Sequence, residues 1–172
     1  MAQSNALVSI LMGSDSDLDV MKEAARVLDE FGVAYEMDVT SAHRSPERTR
    51  QIVGGARERG VRIFIVGAGA AAHLAGVVAA ESTLPVIGVP LDASALRGVD
   101  ALYATVQMPA GIPVATMAIG KAGATNAAIF AVEILAVADS SLQDQLQDYK
   151  RKLAEGVERK SASLRERLRD GK

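Results

Sequence analysis

The chain has no cysteine, no tryptophan, and only three tyrosines and three phenylalanines. Without cysteine there are no disulfides, no thiolate metal sites and no cysteine nucleophile. The absence fits a reducing compartment, so a cytoplasmic location is expected. Few aromatics leave little on which to stack nucleic-acid bases. Charge of one sign is lacking too: 19 Lys and Arg against 21 Asp and Glu give a net −2, without the basic footprint of a nucleic-acid binder. No apolar run reaches the roughly 18 to 20 residues of a membrane span. Residues 1–6 are polar and show no basic segment followed by an apolar stretch, so no signal peptide is expected. Neither nucleic acid nor membrane is therefore an expected partner. What is present is a 172-residue chain, 49% hydrophobic, whose apolar bulk is alanine and valine. That length suits one domain with a full core.

Strand and helix patterns alternate. Leu7–Met12 is a short apolar, β-branched run and predicts a buried strand. A helix from about Ser16 to Phe31 follows, with Leu18, Met21, Ala24, Ala25 and Leu28 at helical spacing and Gly32 as its stop. Val33–Val39 predicts the second strand. Pro46 fits the first turn of a helix running to about Arg59. Val61–Val66 predicts the third strand, Ala71–Glu81 a helix, Pro85–Val89 the fourth strand, and Val114–Ile119 the fifth. A short helix is expected over Gly98–Val106. Ala124–Ala138 reads as an alanine-rich helix, apolar on most faces and so buried. Continuous apolar strands separated by helices argue for a parallel sheet covered on both faces. The expected fold is α/β, a three-layer doubly wound sheet of flavodoxin-like type over residues 1–138, with a charged C-terminal helical extension over 139–172.

Open α/β sheets bind ligands outside the carboxyl ends of their strands. That rule selects five loops: Gly13–Asp17, Thr40–Pro46, Gly67–His73, Pro90–Gly98 and Gly120–Asn126. Both histidines of the chain, His43 and His73, fall in them. In Gly13–Asp17, backbone N–H groups at a helix start favour an anion, and Ser14 and Ser16 add hydroxyls. Asp15 and Asp17 would repel a phosphate if both faced it; one of them suits sugar hydroxyls better. The loop lacks the GK[ST] ending of a Walker motif. In Thr40–Pro46, Arg44 can grip a phosphate with two N–H groups, and His43 can move a proton near neutral pH. Gly67–Gly76 formally matches G-x-G-x-x-A, with Asp92 after the next strand, so a dinucleotide-binding module competes. Against it, the motif follows the third strand rather than the first. On its own residues, His73 reads as a structural histidine bonded to a backbone group. Nothing has metal-ligand spacing, and the Asp15, Asp17, Asp19 series lacks the glycine and the twelfth-position acid of a calcium loop.

The tail has 16 charged residues in its 34 positions. Leu142, Leu146, Tyr149, Leu153, Val157, Leu164 and Leu168 form a narrow helical stripe. It packs either on its own domain or on a neighbouring subunit.

Five blocks then stand together: MGSDSD at Met12–Asp17, SAHRSP at Ser41–Pro46, GAGAAAHLAG at Gly67–Gly76, PVIGVP at Pro85–Pro90, and VQMPAGIPVATMAIGKAGATNAA at Val106–Ala128. In order and without large gaps, they resemble class I PurE, the N5-carboxyaminoimidazole ribonucleotide mutases of purine biosynthesis. The resemblance spans roughly Val8 to Leu135. It departs at Ala70 and Ala75, where the family pattern GAGGAAHLPG has glycine and proline. It implies an isomerisation that needs neither cofactor nor metal, in which a carboxyl group leaves the exocyclic nitrogen of an aminoimidazole ribonucleotide and joins the adjacent ring carbon. By the same resemblance His43 is the general acid and base, and Ala68, Gly69 and Ala70 hold the migrating CO2. Ser16 and Arg44 then match phosphate-binding positions, Ser14 and Ser41 line the pocket, and Asp17 meets ribose hydroxyls. His73 and Leu74 fall in the same substrate-binding set. The family further implies a homo-octamer, which favours the tail packing on a neighbour, and a separate ATP-dependent synthetase that supplies the substrate. Class II enzymes, which carboxylate aminoimidazole ribonucleotide directly with CO2, resemble AHK rather than AHR and lack the GAG…AAHL block, so Arg44 and His73 favour class I. An NAD-binding or nucleotide-sensing module and a non-catalytic phosphate-binding module are the remaining alternatives.

Overall fold

The computed structural model describes residues 5–169 and 171. Part of the polar N-terminus in which no signal peptide is expected, residues 1–4, and part of the C-terminal end, residues 170 and 172, lie outside the described residues. The chain divides into two compact units, Met1–Val132 and Glu133–Lys172. Among the described residues no helix is long and apolar enough to cross a membrane.

The first unit is built on β1 (Val8–Met12), β2 (Tyr35–Val39), β3 (Ile63–Gly69), β4 (Val86–Leu91) and β5 (Ala115–Thr116). All pairs are parallel and the order is β2-β1-β3-β4-β5, the flavodoxin-like arrangement. Its helices are α1 (Leu18–Glu30), α2 (Pro46–Gly54), α3 (Leu74–Glu81), α4 (Val99–Val106) and most of α5 (Lys121–Ala136), whose last residues, from Glu133, belong to the second unit. The three central strands are apolar but for Ser9 in β1, because helices cover both faces: β1 and β4 are buried at every residue, whereas the edge strand β2 is half-buried or exposed throughout. Alternation along β3 sorts the layers. Phe64, Val66 and Ala68 join Val53 of α2, Leu74 and Val78 of α3 and Ala101 of α4 in one cluster. Gly67 faces the other way, toward Met21 of α1.

Element bounds differ from the sequence expectation in several places, among them α5, which starts at Lys121 rather than Ala124; four departures have a clear local reason. Helix α2 stops at Gly54 instead of near Arg59, because Gly54 and Gly55 together are poor helix formers. The turn that replaces its last part is tied down by Arg59, which donates to Glu36 at 2.8 Å and to the Ile52 carbonyl at 3.0 Å. Strand β3 runs on through Gly69, pairing Gly67 with Val89 and Gly69 with Leu91, so the first half of the expected Gly67–His73 loop is strand. Strand β5 has two residues instead of six. The Pro90 carbonyl faces that edge, accepting from Gly120 N–H at 2.9 Å, and proline has no N–H there to continue the ladder. Helix α3 begins at Leu74 rather than Ala71, because Ala70 to Ala72 fold into tight turns, Ala72 N–H on Ala70 O and His73 N–H on Ala71 O.

Helix α5 is buried on one side only. Ala124, Ala127, Ala128 and Ala131 are fully buried, while Ile129, Phe130, Ile134 and Leu135 are half-buried. In the second unit, α6 (Ser140–Arg169) opens on Asp139, whose carboxylate accepts from the Ser141 and Leu142 N–H groups. Its charges pair along the helix, Arg151 with Asp148 at 3.0 Å and with Glu155 at 3.7 Å. Leu153, Val157, Leu164 and Leu168 on the same helix are exposed.

Candidate active site

Three strand ends meet at the carboxyl edge of the sheet. The Gly13 N–H donates to the Gly67 carbonyl at 3.2 Å and the Thr40 N–H to the Met12 carbonyl at 2.9 Å, so the exits of β1, β2 and β3 are fixed side by side. The order reverses here, with β2 to one side of β1 and β3 to the other, which opens a crevice. A cavity of about 220 Å³ lies in it, lined by residues of the loops after β1, β2, β3 and β4.

The first wall is the turn Asp15–Asp17. Ser14 caps it: its Oγ accepts from the Ser16 N–H, while the Asp17 carboxylate accepts from the Ser14 N–H at 3.0 Å. Ser16 Oγ donates to Ser14 Oγ at 2.9 Å. Burial pushes the Asp17 carboxyl above the usual carboxylate range, against the pull of the Ser14 and Gly13 N–H groups and the Ser16 hydroxyl; the neighbouring Asp15 charge adds to the rise.

The second wall is the turn from Ser41 to Ser45, closed by the Ser45 N–H on the Ser41 carbonyl at 2.9 Å. Behind it Thr40 and Thr49 share a buried hydroxyl bond of 2.8 Å, which locks the end of β2 to α2. The turn projects His43 and Arg44 outward. Arg44 is held twice: its Nη2 donates to the Gly13 carbonyl at 3.0 Å and its Nε to Ser41 Oγ at 3.4 Å. The guanidinium thus lies beside the serines of the first wall, where a phosphate would complete its bonding.

The third wall is the end of β3 with the turn after it. Gly67 and Gly69 are glycines for packing: a Cβ on Gly67 would stand 2.4 Å from Met21 Sδ, and one on Gly69 2.4 Å from Ala93 Cβ. The match to a dinucleotide fingerprint therefore has a different physical cause, close approach of protein to protein rather than to a pyrophosphate. Ala70 adopts φ 51°, a left-handed conformation that costs a Cβ-bearing residue roughly 1–2 kcal/mol. Ala70→Gly should relieve that strain at the expense of a more flexible unfolded chain. Its melting temperature is expected to equal or slightly exceed the parent's, whereas an ordinary alanine-to-glycine change lowers stability by roughly 0.5–1 kcal/mol. A thermal melt of the two proteins checks this.

Of the residues expected from sequence, Ser14, Ser16, Asp17, Ser41, His43, Arg44, Ala68, Gly69, Ala70 and Leu74 all line this cavity. His73 is not among its lining residues. It stands at the N-cap position of α3 without a side-chain bond to the helix, and its ring is bonded to a side chain rather than to backbone: His43 Nε2 and His73 Nδ1 are 2.8 Å apart, with the rings edge-to-face at 79°. The loop Gly120–Asn126 contributes nothing to the cavity lining. Gly13, Ala42, Ala71 and Ala93 do contribute without having been singled out as site residues. They offer no chemistry of their own, and only their position in strand-end loops could have marked them.

Comparison with known proteins shows which family the chain resembles. The family model described as AIR carboxylase matches residues 7–156. The N5-carboxyaminoimidazole ribonucleotide mutase of Pyrococcus horikoshii is 51% identical over 166 residues, covering 96% of this chain and 93% of that protein. The Synechocystis protein of the same name is 52% identical over 168 residues, covering 98% and 94%. Among solved structures, Treponema denticola PurE superposes with a TM-score of 0.83 at 28% identity, covering 92% of this chain and 98% of that one.

Proposed function

The chain belongs to the AIR carboxylase family and acts as an N5-carboxyaminoimidazole ribonucleotide mutase of purine biosynthesis, and we propose that His43 is the general acid and base of the reaction. One observation carries this. His43 sits on the same cavity as a phosphate-type set (Arg44, Ser14, Ser16), a single half-buried carboxylate (Asp17) and a small-residue wall (Ala68 to Ala70).

In this mechanism Arg44 and Ser16 hold the phosphate, with Ser14 and Ser41 beside them. Asp17 accepts from ribose hydroxyls with the oxygen that Ser14 does not occupy. His43 enters as imidazolium. It gives its proton to the exocyclic nitrogen as the N–CO2 bond breaks, which leaves an amine, free CO2 and a neutral imidazole. The small wall of Ala68, Gly69 and Ala70 leaves room for CO2 against backbone N–H groups and keeps it from water. The adjacent ring carbon then attacks CO2, and neutral His43 removes the proton from that carbon to restore the aromatic ring. Atoms and charge balance and the histidine ends as it began. One group serves both steps because an imidazole can both give and accept a proton near neutral pH. No cofactor or metal enters this scheme.

The same reading includes a homo-octamer working in the cytoplasm, with the 139–172 extension laid on a neighbouring subunit. It also includes a separate ATP-dependent synthetase that supplies the substrate. The exposed Leu153, Val157, Leu164 and Leu168 support the subunit contact.

The direct test incubates the protein with N5-carboxyaminoimidazole ribonucleotide, without ATP or bicarbonate, and follows the absorbance of the carbon-carboxylated product. Product is expected. Product formed only from aminoimidazole ribonucleotide plus bicarbonate would overturn the mutase mechanism in favour of direct carboxylation. Arg44→Ala is expected to raise KM about 10- to 100-fold with a smaller change in kcat, since a charge-assisted bond to phosphate contributes roughly 1.5–3 kcal/mol. Steady-state kinetics on the variant check it.

A further inference from the structure

We propose that Ser45 is a positioning residue for His43 and Arg44: its hydroxyl closes the turn that carries them, so that the proton-transfer group and the phosphate-holding group face the cavity together. This rests on the roles of His43 and Arg44 given above and adds a residue that touches no substrate.

Ser45 occupies the N-cap position of α2, immediately before Pro46. A serine at that position ordinarily accepts from an N–H of the first helical turn. This one makes no such bond. Its Oγ turns back instead, accepting from the Ser41 N–H at 3.1 Å and donating to the Ser41 carbonyl at 3.2 Å. The Ser45 N–H donates to the same carbonyl at 2.9 Å. These bonds join the two serines across Ala42, His43 and Arg44. A hydroxyl suited to the helix thus serves the turn.

Each residue between the serines is placed by that closure. Ala42 packs on the core cluster, which gives the turn a fixed floor. Ser41 Oγ accepts from the Arg44 N–H at 3.1 Å and from Arg44 Nε at 3.4 Å. A shift of Ser41 therefore moves the guanidinium, which also reaches the Gly13 carbonyl at 3.0 Å. His43 stands at the exposed tip of the turn, so its ring moves with any change in the turn's opening.

The closure is anchored from behind. The Ser45 carbonyl accepts from the Thr49 N–H at 3.1 Å and from Thr49 Oγ1 at 3.3 Å. That commits the one hydroxyl proton of Thr49, so Thr40 is the donor in the buried 2.8 Å bond between the two threonines. Thr40 is fixed to β1 in turn, through its N–H on the Met12 carbonyl at 2.9 Å. Ser45 is therefore the point at which a buried framework of sheet and helix holds an exposed turn. Without its hydroxyl the part-buried Ser41 N–H loses this acceptor, and the turn must open to let water replace it.

The test compares Ser45→Ala, which removes the hydroxyl, with Ser45→Thr, which keeps it. Ser45→Ala is expected to lower kcat and raise KM together, each by about three- to tenfold, because small misplacements of reacting groups have large rate effects. Ser45→Thr is expected to recover most of both. Rates are read well below the melting temperature of either variant, so that unfolding does not mimic the loss. A change in kcat or KM alone, a lower melting temperature with unchanged kinetics, or equal losses in both variants would overturn the proposal. In a His43→Asn background, Ser45→Ala should cost little further kcat, because its effect on kcat passes through that ring; a full independent loss there would also overturn it. Failure of the earlier reading looks different: His43→Asn alone would turn over at the parent rate, or Arg44→Ala alone would leave KM unchanged, whatever Ser45→Ala does.

Discussion

His43→Asn is expected to lower kcat by about 10²- to 10⁴-fold while nucleotide affinity changes less than about threefold, the usual contribution of a positioned general acid–base group. The split follows from the separation of roles along the cavity. The groups assigned to phosphate and ribose, Ser14, Ser16, Asp17 and Arg44, are held by their own bonds: Ser14 to Asp17, Ser16 to Ser14, and Arg44 to Gly13 and Ser41. None of those bonds involves His43. Asparagine should therefore leave the binding wall intact. It cannot carry a proton at neutral pH, so both the protonation of the leaving nitrogen and the later removal of the ring proton lose their partner. Isothermal titration with the product nucleotide and steady-state rates on the substrate separate the two effects. A variant that turns over at the parent rate would remove His43 from the chemistry.

Much of this site could be read from sequence, and the reason is local. Ser14, Ser16 and Asp17 sit within one turn after β1, and His43 and Arg44 within one turn after β2, so a pattern of a few residues already places each group at a strand end. The parallel sheet does the rest, because its strand ends share one edge. What stayed out of reach depends on pairs distant in the chain. That β5 stops after two residues depends on which edge the Pro90 carbonyl faces. That His73 meets His43 rather than a backbone group depends on two loops crossing above the sheet. Gly67 and Gly69 illustrate the ambiguity most clearly. Their spacing is that of a nucleotide fingerprint, but their function is set by Met21 and Ala93, which no local pattern reveals.

Gly69→Ala is expected to cost turnover by about 100-fold and to destabilise the fold by roughly 1–3 kcal/mol, the usual cost of forcing a methyl group into a filled space. At this chain length that is a fall in melting temperature of roughly 2–4 °C per kcal/mol. The added Cβ would lie 2.4 Å from Ala93 Cβ and 3.3 Å from the Leu91 carbonyl oxygen. Position 69 is paired with Leu91 in the β3–β4 ladder, so its backbone cannot retreat without breaking the sheet. Ala93 must move instead. It is held by the tight turn in which its N–H meets the Leu91 carbonyl at 3.1 Å, and it forms part of the cavity wall. The clash is therefore passed to the wall that faces the proposed CO2 site. The cause is steric and its severe part falls on one atom, Ala93 Cβ, which gives a sharp check. Ala93→Gly removes the opposing Cβ, so the double variant Gly69→Ala with Ala93→Gly should regain most of the lost stability and activity, a coupling between contacting positions that a double-mutant cycle measures directly. A double variant no better than Gly69→Ala alone would show that the glycine is required for its backbone and not for the space beside Ala93.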